Sequence, residues 1–175
     1  MNMHHENRGK TENLTKREVP DSTVCSIVEN KFVVVGCGYN LKLFTVVDNS
    51  NNIVEANHSL VTSFEIRNIE CSSCYLVITG DFECVIKKII HSDSDLLFED
   101  TKTVKIDSKI QKTLLLSQNL LILHENGLDL FSFEKFENTF VFENEIIDIS
   151  AIQNGDGIVF LLDKNGSIFY SDIYQ

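Results

Sequence analysis

Residues 75–90 read Tyr-Leu-Val-Ile-Thr-Gly-Asp-Phe-Glu-Cys-Val-Ile-Lys-Lys-Ile-Ile, or YLVITGDFECVIKKII. A β-branched apolar run leads into a short turn carrying Gly and Asp, and a second β-branched run follows. That pattern predicts a β-hairpin. Pairing Thr79 with Cys84 across the turn places Ile89 opposite Cys74 and His91 opposite Ser72. Three other segments have the same form: FVVVGCGYNLKLFTVV from Phe32, NLLILHENGLDLFSFE from Asn119 and GIVFLLDKNGSIFYSDI from Gly157. With Leu41, Val85, Leu128 and Ile168 taken as equivalent, the spacings are 44, 43 and 40 residues.

Each hairpin is preceded by a further strand-like run: STVCSIVE, LVTSFEIRN, IQKTLLLS and EIIDISAI. The first three are followed by a looser one: NNIVEA, LLFEDTKTVKI and NTFVFE. Strands recurring in fours at this period are the signature of a β-propeller blade. One blade cannot bury both faces, so blades stack, and their central strands become continuously apolar, as in Phe32–Val35 and Tyr75–Ile78. The expected fold is therefore all-β and propeller-like, with about four four-stranded blades in an open or incomplete ring. Asn126-Gly127 and Asn165-Gly166 supply hairpin turns, with Gly36, Gly38 and Gly80 expected to do similar work. Residues 1–20 are polar and without periodicity, a flexible tail ending at Pro20; residues 21–175 form the β domain.

VITGDFECVIKKI and VVVGCGYNLKLF resemble the middle of a WD-repeat blade, where a small-residue turn separates two apolar strands. The similarity extends from about Ser22 to the end in periodicity and texture. The Gly-His pair opening typical WD repeats is missing, and the chain has no Trp and hence no Trp-Asp ending. In such rings an N-terminal segment often supplies the last outer strand. Here that segment is polar, so the resemblance implies an open half-ring with an unpaired edge and an exposed apolar face. Such surfaces aggregate or are covered by a partner.

The net charge is −11 over 175 residues. Residues 1–20 hold four basic and three acidic side chains, leaving 11 basic and 23 acidic groups in the domain. That balance repels phosphate backbones, so no direct nucleic-acid binding is expected; a basic protein partner suits it better. No apolar run approaches the ~20 residues that span a bilayer, and no secretory signal is apparent. Five cysteines, an odd number, then read as reduced thiols in a cytoplasmic or nuclear protein.

Cys71, Cys74, Cys84 and His91 have the residue types of a zinc site. On the hairpin, however, Cys84 sits at the turn, roughly 16 Å from the other three by strand rise. Three ligands converge at most, with Asp93 a candidate fourth, so turn and core thiols are the better reading. No cofactor is expected. Gly36-Cys37-Gly38 lacks the third glycine and the helix of a dinucleotide-binding turn. Asp93, Asp95 and Glu99 lack the glycine of a calcium loop. His58, His91 and His124 fall in separate repeats, and nothing local marks a nucleophile for a Ser-His-Asp arrangement. The phenylalanines from Phe131 to Phe142 are interleaved with glutamates, which suits a blade core rather than base stacking.

These readings point to a non-catalytic interaction scaffold or accessory subunit. It would present an acidic rim to a protein partner and dock or self-associate through an open blade edge. Phe131, Phe133, Tyr170 and Tyr174 are its expected core or interface contributors near the incomplete end. One alternative is a non-catalytic partner subunit of an RNA-modifying enzyme. Another is a small metal-binding protein or hydrolase using Cys71, Cys74 and His91.

Overall fold

A computed structural model of the protein describes residues 24–28, 31–47, 52–91, 96–135, 137–142, 145–152 and 158–172. The expected tail at 1–20 lies outside them, as does Tyr174. Four antiparallel meanders follow one another along the chain. The first sheet holds β1 (Val24–Val28), β2 (Phe32–Cys37), β3 (Asn40–Val47) and β4 (Asn52–Val61). The second holds β5 (Asn68–Cys71), β6 (Tyr75–Thr79), β7 (Glu83–His91) and β8 (Leu96–Lys105). The third holds β9 (Ile110–Leu115), β10 (Asn119–His124), β11 (Gly127–Ser132) and β12 (Glu137–Phe142). The fourth has three strands, β13 (Ile146–Ala151), β14 (Ile158–Asp163) and β15 (Ile168–Asp172). The ring they form is open. Among the described residues no helix is long and apolar enough to cross a membrane.

The sheets stack because their central strands are apolar on both faces. Every residue of β10 is buried, as are Leu76, Val77, Ile78 and Thr79 of β6. Three apolar seams result. Val34, Leu41 and Leu43 of the first sheet meet Leu76, Ile78 and Ile89 of the second. Val77, Cys84 and Ile86 meet Leu120, Ile122 and Phe131 of the third. Leu121, Leu123 and Leu128 meet Ile149, Val159 and Leu161 of the fourth. A seam residue has partners from two sheets, so no blade buries its core alone.

The hairpin register follows the expected pairing. Thr79 faces Cys84, and the Ile89 amide donates to the Cys74 carbonyl at 2.8 Å. The His91 Nε2 lies 3.2 Å from the Ser73 carbonyl, at the same end of the hairpin as the expected Ser72. Two expectations need correction. LVTSFEIRN is not the opening strand of the second blade. Thr62 Oγ1 donates to the Tyr39 and Phe64 carbonyls, and the Ile66 amide donates to the Gly38 carbonyl. Residues 62–67 thereby turn beneath the first hairpin, and the strand starts at Asn68. Val85 also is not equivalent to Leu41 and Leu128. Four residues separate Thr79 from Cys84, as they do Gly36 from Leu41 and Leu123 from Leu128, so Cys84 is the equivalent position. Val85 therefore shares the face of Ile78, toward the preceding sheet, and Cys84 and Ile86 face the next one.

Gly38 has φ of 58° and Gly166 of 82°, as tight hairpins require. Gly36 and Gly80 serve another purpose. A Cβ on Gly80 would lie 2.5 Å from Phe64 Cδ2, and one on Gly36 would lie 2.8 Å from Ile66 Cγ2. Both are glycine because neighbouring side chains occupy the space.

Candidate functional site

The cysteine–histidine cluster is brought only partly together. Cys71 ends β5, and Ser72 caps the following turn by accepting the Tyr75 amide at 3.0 Å. Cys74 is exposed in that turn, beside the end of β7 where His91 lies. Cys84 belongs to the opposite end of the hairpin, fully buried in the seam between the second and third sheets. Burial pushes its thiol up to about 12, while the Thr79 hydroxyl, accepting from Sγ at 3.6 Å, pulls the other way. Among the described residues no group of three or more His, Cys, Asp or Glu side chains is placed to hold a metal ion. Asp93 and Asp95 lie outside the described residues.

A Ser-His-Asp group does assemble, in the third blade. Ser108 Oγ lies 2.6 Å from His124 Nδ1, and His124 Nε2 lies 3.5 Å from Asp129 Oδ1. All three residues are buried, and among the described residues His124 Nε2 has no hydrogen-bond partner. A hydrolytic triad has its serine on Nε2, its carboxylate on Nδ1, and its hydroxyl open to substrate. Here the nitrogens are exchanged and the hydroxyl is closed off. The arrangement ties the 106–109 segment to the end of β10 and the start of β11. The trace in the sequence is His124 closing the apolar run of NLLILH and Asp129 between the leucines of GLDLFS.

A second polar cluster joins sheets two and three. Glu70 of β5 accepts from the Leu115 amide at 2.7 Å, from Asn68 Nδ2 at 3.3 Å and from the Thr113 hydroxyl. One carboxylate thus satisfies a backbone donor and a hydroxyl of the next blade, a charge-assisted contact across the seam. Lys112 and Asp148 join the third and fourth sheets at 2.7 Å, and that hydrogen bond holds the Asp148 carboxyl below its ordinary value.

Of the expected interface residues, Phe131 and Phe133 are core. They are 1% and 2% exposed, and Phe133 packs against Tyr75 with ring centroids 4.4 Å apart. They fill the seam between sheets two and three and present nothing to a partner. Tyr170 does stand at the open end, 79% exposed. It shares a face of the fourth sheet with Phe160, its β14 partner, and with the Ile168–Leu162 pair, a face directed away from the third sheet. Ile168 is 71% exposed and Phe160 37%. Among the described residues β15 pairs with β14 alone. A groove of about 530 Å³ runs between the first two sheets and is lined by Leu60, Val61, Thr62 and the Lys87–Asp100 ion pair.

No protein-family model and no curated protein matches the chain. Solved structures do. The chain is similar to apo AztD from Citrobacter koseri, with 11% identity and a TM-score of 0.64 over 89% of this chain and 45% of that one. It is similar to a putative 6-phosphogluconolactonase from Bacteroides uniformis, with 11% identity and a TM-score of 0.61 over 86% and 53%. It is also similar to the computationally designed Ika4 protein, with 13% identity and a TM-score of 0.59 over 92% and 96%. The chain thus spans about half the length of the two natural proteins. At these identities the likeness shows the fold alone, and that fold is an open, β-propeller-like ring of four small antiparallel sheets.

Proposed function

We propose that the protein is a non-catalytic interaction module, a WD-repeat-like scaffold or accessory subunit that works by docking other protein. The observation that carries this is the open end of the ring, where Phe160, Ile168 and Tyr170 leave an apolar sheet face in solvent. Exposed carboxylates at Glu99, Asp100, Asp107, Glu125 and Glu134, on a chain of net charge −11, favour basic partners. Service as a partner subunit to an RNA-modifying enzyme, in the cytoplasm or nucleus, is one form of this reading. The buried Ser108–His124–Asp129 group and the dispersed cysteines give a hydrolase or metal protein less support.

The test is affinity capture from the source cells, followed by titration of the purified partner against the wild type and Tyr170→Glu. A stoichiometric partner whose binding weakens with salt and with the variant supports the proposal. The absence of any such partner, or turnover of an ester or lactone substrate by the purified chain, contradicts it.

A further inference from the structure

One lysine of the second sheet is buried where a lysine ordinarily stays in water. Lys87 is 9% exposed, and it faces Leu76 in the β6–β7 register, so its side chain lies on the face that meets the first sheet. Lysine is almost never buried without a partner. Among the described residues Asp100 alone accepts from Nζ, which has three donors to place. The two partners are also unequal: the Lys87 side chain is 11% exposed and that of Asp100 82%. The ammonium is fixed in the seam, whereas its counter-ion stands in solvent, where an ion pair is worth little.

This pair borders the groove of about 530 Å³ between the first two sheets, a volume typical of small-molecule sites. Leu60, Val61 and Val85 give it apolar walls, and Ser63 and Thr103 add hydroxyls. Leu60 also lines a second hollow, of about 490 Å³, with Ile90, Leu96, Leu97 and Phe98. Ile90 and Leu97 are 41% and 46% exposed, so apolar surface there lies open to a ligand. Along β7, Ile90 is about 10 Å beyond Lys87 by strand rise. Lys87 is thus the cationic end of an apolar trough.

We propose that this trough binds an aliphatic monocarboxylate, of which a medium-chain fatty acid is the simplest. The ligand carboxylate takes the place of Asp100 on Lys87 Nζ, and its tail lies over Leu60 toward Ile90 and Leu97. Exchanging one carboxylate for another keeps the buried ammonium paired, and burial of the tail supplies the net gain. Asp100 returns to water, where most of its side chain already is. With Glu99 lining the second hollow and Asp100 the first, a second negative charge on the ligand is disfavoured. The site lies away from the open end of the ring and does not depend on protein docking.

The experiment is titration of the full chain with octanoate, followed by amide NMR, with octanol in parallel. Octanoate should bind with a dissociation constant at or below ~1 mM and shift amides of residues 60–63 and 85–90. Octanol, which has the tail without the charge, should bind at least ~10-fold more weakly. Asp100→Asn removes the competing carboxylate and should tighten octanoate at least ~3-fold, a gain that a purely structural ion pair would not give. Lys87→Met should weaken it at least ~10-fold with an unchanged circular dichroism spectrum. Val61→Glu, at a position 74% exposed, places a carboxylate in the groove and should weaken binding even if Lys87→Met fails to fold. No shifts at ~10 mM octanoate overturn the inference. So do octanol binding as tightly as octanoate, Asp100→Asn binding no tighter than the wild type, or shifts confined to β15.

Discussion

Phe133→Ala tests whether the sheets cohere through their seams. Phe133 is 2% exposed and contacts Tyr75 and Phe131 at ring-centroid distances of 4.4 and 5.9 Å. Its amide donates to the Gln118 carbonyl at 3.1 Å, so the backbone is pinned and has little freedom to collapse into the vacated space. Truncating a buried phenylalanine costs about 3–5 kcal/mol, and the two aromatic contacts place this site toward the upper end. Against a total stability of about 5–15 kcal/mol, that is a large fraction. With a urea m-value of about 2 kcal/mol/M, the unfolding midpoint should fall by roughly 1.5–2.5 M. Tyr170→Ala, at a position 79% exposed, should change stability by no more than ~0.5 kcal/mol. Equilibrium urea unfolding followed by circular dichroism measures both. A loss below ~1 kcal/mol for Phe133→Ala would refute the packing between sheets two and three.

Other expectations are equally direct. Gly80→Ala should destabilise by about 1–3 kcal/mol, because the new methyl would meet the Phe64 ring, and thermal melts will show it. Cys84, with its thiol pushed up to about 12, should resist a thiol reagent at pH 8 until the protein unfolds, while exposed Cys74 reacts at once. Asp148 is held below the ordinary carboxylate value by Lys112, so its contribution is present above about pH 4 and is lost as pH falls through its lower folded value. Both side chains are about half exposed, so Lys112→Ala should cost at most ~1 kcal/mol at pH 7 and nothing in strong acid, as urea midpoints at the two pH values will report.

The repeat structure was legible because strand pairing leaves a strong imprint. The Thr79–Cys84 register followed from turn residues and β-branched runs, and the burial of β6 followed from the apolar run Tyr75–Ile78. The same logic failed where the repeats were superposed one residue out of step. Cys84 stands where Leu41 and Leu128 do, so Val85, one residue on, takes the opposite face, which an approximate count of repeat spacing cannot reveal. LVTSFEIRN alternates like a strand, yet Thr62 diverts its backbone to Tyr39, a partner far away in sequence. At the sites, chain position misled for Phe131 and Phe133. They lie late in the chain but belong to an internal seam, whereas Tyr170, beside Phe160, stands in solvent at the open end. Ser108, His124 and Asp129 come from three separate segments, and only the folded third blade brings them into contact.

Hydrogen exchange of the isolated chain at high dilution tests the open ring most directly. Amides of β6 and β10, strands paired on both sides and buried within seams, should exchange slowest. Amides of β15 should exchange rapidly. Protection of residues 168–172 equal to that of β10 would mean that the chain closes its own ring, and no open end would be left to bind.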